Sequence, residues 1–182
     1  MKYNIEWLLK QKNPQFTFFW KPLTQNYNYI GAGCLSQWQQ DYPFEEDGVE
    51  YKTAEHYMMA GKAKLFNDKE YLRKILNSNH PSKTKKLGSQ VRGFKNNIWE
   101  QHRCDIVIKA NYLKFTQHPE LKEYLLNTGD NVLVEASPYD RIWGIGMESK
   151  HPNSNNVKLW KGINLLGFCL MEVRDQLKNN YE

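Results

Sequence analysis

The chain is poor in cysteine, in long apolar runs and in blocks of like charge, and each absence narrows the reading. Its three cysteines, Cys34, Cys104 and Cys169, are odd in number, and their spacing matches neither a disulfide framework nor a zinc motif. The start of the chain lacks the basic-then-apolar pattern of a secretory signal. No apolar run approaches the ~20 residues that span a bilayer. The expectation is a cytoplasmic protein with no membrane association, in which each cysteine is a small core residue. No five consecutive like charges occur, so neither a basic arm nor a solvated tail is expected. A Walker A loop and a G-x-S-x-G elbow are missing. The Gly144-Ile145-Gly146 turn lacks the third glycine and the distant acid of a dinucleotide fingerprint. The five histidines, His56, His80, His102, His118 and His151, show no ligand spacing, so no metal is expected.

What is present suits a single domain over residues 1–182, long enough to bury a core without staples. Aromatics make up 14%, and 25 basic against 20 acidic residues leave a net charge of +5. That mild excess fits an anionic small ligand and permits nucleic acid only weakly. The pattern predicts a mostly helical protein with a few short strands. Asn4–Lys10 reads as a short helix, Phe16–Trp20 as a strand and Thr24–Gly33 as a loop. Asp47-Gly48 reads as a tight turn joining two short strands. Thr53 caps a helix. Asn67 with Glu70 signals the next one, running through Tyr71, Ile75 and Leu76. His80-Pro81-Ser82 breaks the pattern ahead of a basic segment, Lys83–Lys95. A long helix is expected over Asn97–Phe115 and another from Pro119 to Gly129. Asn131–Ala136 reads as a strand, and a last helix starts at Val157 or Leu165 and ends near Leu177.

Two constellations carry candidate chemistry. Within VEYKTAEHYMMAGKAKLF, Val49–Phe66, Glu55 and Lys62 share a helix face, with roughly 10 Å of rise between them. They are too far apart for an ordinary surface pair and well placed to flank a small ligand. The plain alternative is that Glu55 stabilises the helix dipole and Lys62 is solvated. In the long helix, Trp99, Arg103, Ile106, Ala110 and Leu113 form one stripe. Arg103 on such a stripe needs either a buried ion pair or an anionic ligand, with Trp99 as a stacking surface. A turn-rich stretch, Asp140–Gly146, follows a strand, where positioned functional loops occur. Its plain alternative is a turn capped by Asp140 with Trp143 packed inward.

The ordered segments Asp47–Phe66, Asn97–Arg103 (NIWEQHR), Ala110–Phe115 (ANYLKF), Thr128–Gly146 (TGDNVLVEASPYDRIWGIG) and Gly162–Arg174 (GINLLGFCLMEVR) closely resemble the NADAR, or YbiA-like, family. The resemblance runs from about Phe18 to Leu177. Gly61 departs from a common family Gln, and Leu35-Ser36-Gln37-Trp38 stands where Leu-Ser-Asn-Phe is usual. The resemblance implies an α+β, predominantly helical YbiA-like domain with a few short antiparallel strands. It also implies an N-glycosidase that hydrolyses a ribosyl C1–nitrogen bond. The substrate would be ADP-ribosylated guanine of DNA or RNA, or phosphoribosyl-amino-pyrimidine intermediates of riboflavin synthesis.

The resemblance maps activity onto Glu55, Asp140, Trp99 and Trp143, and it matches Lys62 to a family lysine. A carboxylate stabilises oxocarbenium character at ribose C1 and orients water, so Glu55 and Asp140 suit a catalytic pair. Lys62 suits a covalent route through a Schiff base. Trp99 and Trp143 would sandwich the substrate while Arg103 balances its phosphate. Neither scheme needs a cofactor. A non-catalytic module binding ADP-ribose or an NAD derivative is the alternative reading, and a nucleic-acid-binding carrier is a third.

Overall fold

The computed structural model of the chain describes residues 1–23 and 30–179. Its backbone falls into two compact units. One is built from the described residues of Met1–Ser36 and Pro119–Glu182, the other from Gln37–His118. Most of the expected loop Thr24–Gly33 lies outside the described residues. Beyond them a 3-10 turn occupies Ala32–Leu35.

In the first unit, Asn4 caps helix α1 (Ile5–Leu9) by accepting the Trp7 N–H at 2.8 Å. Strand β1 (Phe16–Phe19) lies parallel to β4 (Val132–Glu135), with Phe16 opposite Val132 and Phe19 opposite Glu135. Helices α6 (Pro119–Asn127) and α7 (Leu165–Asn179) complete it. Val132, Leu133 and Val134 of β4 are all buried, and α7, which packs against β4, buries Leu166, Leu170 and Val173. Arg174 of α7 is buried as well. Its Nη1 donates to Thr128 Oγ1 at 2.8 Å and to the Asn131 carbonyl at 2.9 Å. This clamps the turn between α6 and β4, and burial pulls the guanidinium below its usual range.

The second unit opens with strands β2 (Phe44–Glu46) and β3 (Val49–Tyr51) in an antiparallel hairpin. Asp47 at φ 52° and Gly48 at φ 76° form the turn. Two positive φ angles in succession give the twist a two-residue hairpin needs. Helix α2 (Ala54–Leu65) follows, and Thr53 Oγ1 accepts the His56 N–H at 3.0 Å. Around it pack α3 (Lys69–Leu76), α4 (Pro81–Gly88) and α5 (Asn96–Gln117). Two glycines set the approach. A Cβ on Gly88 of α4 would lie 1.9 Å from Met59 Sδ, and one on Gly61 of α2 would lie 2.8 Å from Ile106 Cγ2.

The mostly helical α+β architecture agrees with the sequence reading, and the structure refines it in four places. The β1–β4 pair is parallel, because the two strands are joined through more than a hundred residues rather than a hairpin. The cap of α3 is Asp68, which accepts the Tyr71 N–H at 3.2 Å; Asn67, at φ 55°, ends the preceding turn instead. His80-Pro81 starts a helix. Proline has no N–H to lose at the first helical position, and His80 Nδ1 accepts the Ser82 N–H. The fully buried line of α5 runs through Val107, Ala110 and Lys114, while Ile106 and Leu113 are half-buried. Ile106 is turned onto Gly61 of α2.

Asp68 also receives a forked pair from Arg92, with Nε to Oδ2 at 2.9 Å and Nη2 to Oδ1 at 2.7 Å. The guanidinium holds its carboxyl well below the usual carboxylate range. A depressed carboxyl stabilises the fold above its unfolded pKa of 3.8, and that contribution is lost as pH falls from there toward the folded value. Urea midpoints should therefore drop more steeply below pH 3.8 in wild type than in Asp68→Asn. Thr53→Ala should lower the unfolding free energy by about 1 kcal/mol at neutral pH, the usual cost of a lost cap.

Candidate active site

In the second unit the chain first fixes the start of α2. The Glu55 N–H donates to the Gln37 carbonyl at 2.9 Å, and Gln37 Oε1 accepts Asn111 Nδ2 of α5 at 3.1 Å. Asn111 also donates to the Val107 carbonyl at 2.9 Å, and both amide side chains are buried. This bridge sets Glu55 relative to α5. Glu55 itself is only 4% exposed, with Met58 and Met59 buried along the same helix.

Lys62, near the end of α2, is half-buried. Its ammonium lies 4.3 Å from the Phe94 ring centroid and 5.6 Å from that of Trp99. Burial pushes the Lys62 amine below its ordinary value, and the negative charge of Glu55 partly opposes this. The two groups therefore sense one another across the helix face. Trp99 of α5 is buried at 8% exposure. One turn on, the Arg103 side chain is 13% exposed, and its ion pair with the exposed Glu100 is a long one, 3.9 Å. The Arg103 Nε is buried without a hydrogen-bond partner among the described residues. Among the described residues, Arg103 thus makes no buried ion pair, the plain alternative for this arginine.

In the first unit, Asp140 and Trp143 share one turn. Asp140 Oδ1 accepts the N–H groups of Ile142 at 2.9 Å and Trp143 at 2.7 Å, and its carbonyl accepts that of Gly146 at 3.0 Å. Asp140 and Trp143 are half-buried, and Tyr139 is 87% exposed. Backbone bonds lace the loop to the segment ahead of α7. Lys161 donates to Ile145, Ile163 to Arg141 and Leu166 to Trp143, at 2.9, 3.0 and 3.1 Å. A Cβ on Gly162 would lie 2.3 Å from the Gly144 carbonyl oxygen, so only glycine permits this approach. Asn164, fully buried at φ 53°, donates to the Leu133 carbonyl at 2.9 Å and accepts the Glu135 N–H at 3.0 Å. It joins the loop to β4.

Each expected site residue thus has a defined setting within its own unit: Glu55, Lys62, Trp99 and Arg103 in one, Asp140 and Trp143 in the other. Sequence reasoning missed Phe94, Gln37, Asn111 and Asn164. Phe94 stands in a polar loop with no periodicity to mark it. Gln37 and Asn111 meet only after folding. A Gly-Ile-Asn run directly before a helix was the available signal for Asn164. His56 is structural. Its Nδ1 accepts the Lys52 N–H at 3.1 Å, so Nε2 carries the proton given to the Ile75 carbonyl at 2.9 Å. Burial lowers its pKa, which keeps the ring neutral. Among the described residues, no group of three or more His, Cys, Asp or Glu is placed to hold a metal ion, and no helix is long and apolar enough to cross a membrane.

A NADAR domain model matches residues 18–178. The chain belongs to the NADAR domain family. It is 43% identical over 155 residues to N-glycosidase R617 of Acanthamoeba polyphaga mimivirus, covering 83% of this chain and 91% of that one. It is 34% identical over 136 residues to N-glycosidase YbiA of Escherichia coli strain K12, covering 75% and 76%. The NMR structure of E. coli YbiA superposes with a TM-score of 0.70 at 28% identity, over 94% of this chain and 89% of that one. A chloroplastic riboflavin biosynthesis protein PYRR of Zea mays is 30% identical over 138 residues, which is 72% of this chain and 20% of that protein.

The electrostatic link within the NADAR domain's α2 face can be measured. Since Glu55 raises the Lys62 pKa and burial lowers it, Glu55→Gln should lower the Lys62 pKa further. NMR titration of reductively methylated protein, with Lys62→Arg to assign the resonance, reads this directly. A rise or no change would contradict the described geometry.

Proposed function

We infer that the protein hydrolyses the bond between ribose C1 and a nitrogen. The family relatives named N-glycosidases support the enzyme class, a hydrolase of N-glycosyl bonds. The observation that carries the residue assignment is the α2 face. There a buried carboxylate and a half-buried amine sit within electrostatic reach of each other, beside aromatic rings and an arginine whose buried Nε has no hydrogen-bond partner among the described residues.

Cleavage of the C–N bond leaves its electron pair on the departing nitrogen and positive charge on C1 and the ring oxygen. Glu55, held out of bulk water, stabilises that charge and receives a proton from the water that adds to C1, and that proton is returned to the departing nitrogen. Arg103 and Trp99 hold the phosphate and a flat group of the substrate. The lowered pKa of Lys62 favours a second, covalent route. The neutral amine adds to C1 of the ring-opened ribose, the nitrogen leaves, and water then hydrolyses the resulting iminium. Asp140 is assigned as the second carboxylate, and Trp143 as a further substrate contact. The substrate is a phosphate-bearing ribosyl amine. The maize relative's name supports an aminopyrimidine intermediate of riboflavin synthesis, and ADP-ribosylated guanine in nucleic acid is the other class. The reading goes with a cytoplasmic enzyme in which Cys34, Cys104 and Cys169 remain thiols.

Glu55→Gln should reduce turnover on a ribosylated amine by about 10²-fold or more, the usual range for a general acid–base group, with the thermal midpoint retained. Full turnover would reject the assignment, and binding of ADP-ribose without turnover by wild type would favour a non-catalytic module. Asp140→Asn keeps an oxygen to accept the Ile142 and Trp143 N–H groups, whereas Asp140→Ala removes it. Loss of rate in both variants assigns the role to the charge. Loss in the alanine variant alone assigns it to the turn. Borohydride should trap a substrate adduct in wild type and none in Lys62→Ala if the covalent route operates.

A further inference from the structure

The last of the family segments, Gly162–Arg174, ends on an arginine that no step of the hydrolysis uses. Arg174 is 2% exposed, yet it makes no ion pair among the described residues. Its Nη1 donates to two neutral oxygens, Thr128 Oγ1 and the Asn131 carbonyl, and this clamp on the turn before β4 takes one nitrogen of the guanidinium. Nε is buried without a hydrogen-bond partner among the described residues, and Nη2 has none there either. Burying a cation with unmatched donors opposes folding unless an anion meets them. Water alone would satisfy the donors without answering the buried charge.

Arg174 lines a pocket of about 400 Å³ at the start of β4, the end away from the Asp140–Gly146 loop. That volume suits a small-molecule ligand. Trp7 of α1, half-buried, forms one wall, and the Tyr3 ring packs edge-on to it at 4.7 Å. The Trp7 indole N–H makes no hydrogen bond among the described residues. Lys12 on another wall is exposed and makes no ion pair among them. Two carboxylates also line the pocket, and both are engaged. Asp175 accepts from Lys2 Nζ at 2.9 Å and from the Tyr3 hydroxyl at 2.7 Å, and the exposed Asp130 lies 3.5 Å from Lys178 Nζ. Their charges oppose part of what burial does to Arg174, but neither bonds to it among the described residues. The unmatched groups of this pocket are therefore donors and cations.

Such a set selects its ligand. A metal cation would meet donors instead of ligands, and an uncharged molecule would leave the guanidinium unanswered. A planar fork of donors suits a carboxylate or a phosphate, and an indole wall suits a flat ring. We propose that the Arg174 pocket binds a small anion built on a flat ring, with the acid group on the unused side of the guanidinium and the ring against Trp7. Lys12 at the exposed wall adds a second positive charge. The pocket shares no residue with the α2 face or with the Asp140–Gly146 loop, so the proposal stands apart from the hydrolytic reading.

Calorimetric titration of the full chain tests this with phenyl phosphate and benzoate, which share a ring and differ in the acid group. Inorganic phosphate supplies the acid without the ring, and benzamide the ring without the charge. Phenyl phosphate or benzoate should bind at least about tenfold more tightly than either control, and the tighter of the two assigns the acid group. Trp7→Leu should weaken that binding about tenfold, and Lys12→Gln by a smaller factor of about three. Arg174→Lys keeps the charge and a donor for the turn but removes the fork, and should bring the ring acid down to the affinity of the controls. If that variant does not fold, Trp7→Leu and Lys12→Gln decide by themselves. The Trp7 indole N–H resonance, assigned by its loss in Trp7→Leu, should shift with the ring acid and stay in place with benzamide. The proposal is overturned if neither ring acid binds more tightly than the controls. It is equally overturned if the bound acid ignores both Trp7→Leu and Lys12→Gln, which would leave Arg174 as a structural clamp. None of these readouts needs turnover, so a failure here leaves the hydrolytic reading untouched, and a failure of that reading leaves this pocket untouched.

Discussion

The constraint on which the second unit depends is the removal of Glu55 from water on a helix that also carries a half-buried lysine. Withdrawing an ion from solvent costs several kcal/mol unless the surroundings compensate. The chain compensates by position. Glu55 lies in the first turn of α2, where unpaired N–H groups and the helix dipole favour an anion, and Lys62 lies in the last turn, where they favour a cation. Each charge stabilises its own end of the helix, and the charge of Glu55 partly opposes the lowering of the Lys62 pKa by burial. An amine in that setting gives up its proton more readily than a surface lysine does, which is what either hydrolytic route needs.

Keeping α2 covered explains much of the surrounding architecture. Three helices pack on it, and the closest approaches occur where a neighbour or α2 itself has no Cβ, at Gly88 and Gly61. A larger side chain at position 61 would need the space that Ile106 fills here. The Gln37–Asn111 bridge then fixes the start of α2 against α5, so that helix register and site geometry are one property. In the other unit, the same economy appears in Asn164, whose side chain completes the hydrogen bonding of β4 while its own backbone carries the segment that holds the Asp140–Gly146 loop.

The parts of this protein legible in its sequence are those set by local chemistry. Thr53 as a cap, the Asp47-Gly48 turn and the start of α6 at Pro119 each depend on a few neighbouring residues, and each is found as read. The Asn67 cap was misread by one residue because two capping side chains stand side by side; the choice fell to Asp68, which alone reaches Arg92. His80-Pro81 reads locally as a break, because proline ends one helix and begins another with equal readiness. The parallel pairing of β1 with β4 and the rotation of α5 that buries Val107 instead of Ile106 depend on distant segments, to which local periodicity is blind.

By itself the sequence determined the helical character, the individual caps and turns, the family, and the shared face of Glu55 and Lys62, because spacing along one helix is fixed by its pitch. Tertiary structure decided what that face is worth. Burial lowers the Lys62 pKa, contact with Phe94 and Trp99 surrounds its ammonium with rings, and the buried Arg103 Nε has no hydrogen-bond partner among the described residues. These depend on which surfaces are withdrawn from water and which charges approach one another through space. Both are properties of the packed chain and have no local signature in the order of its residues.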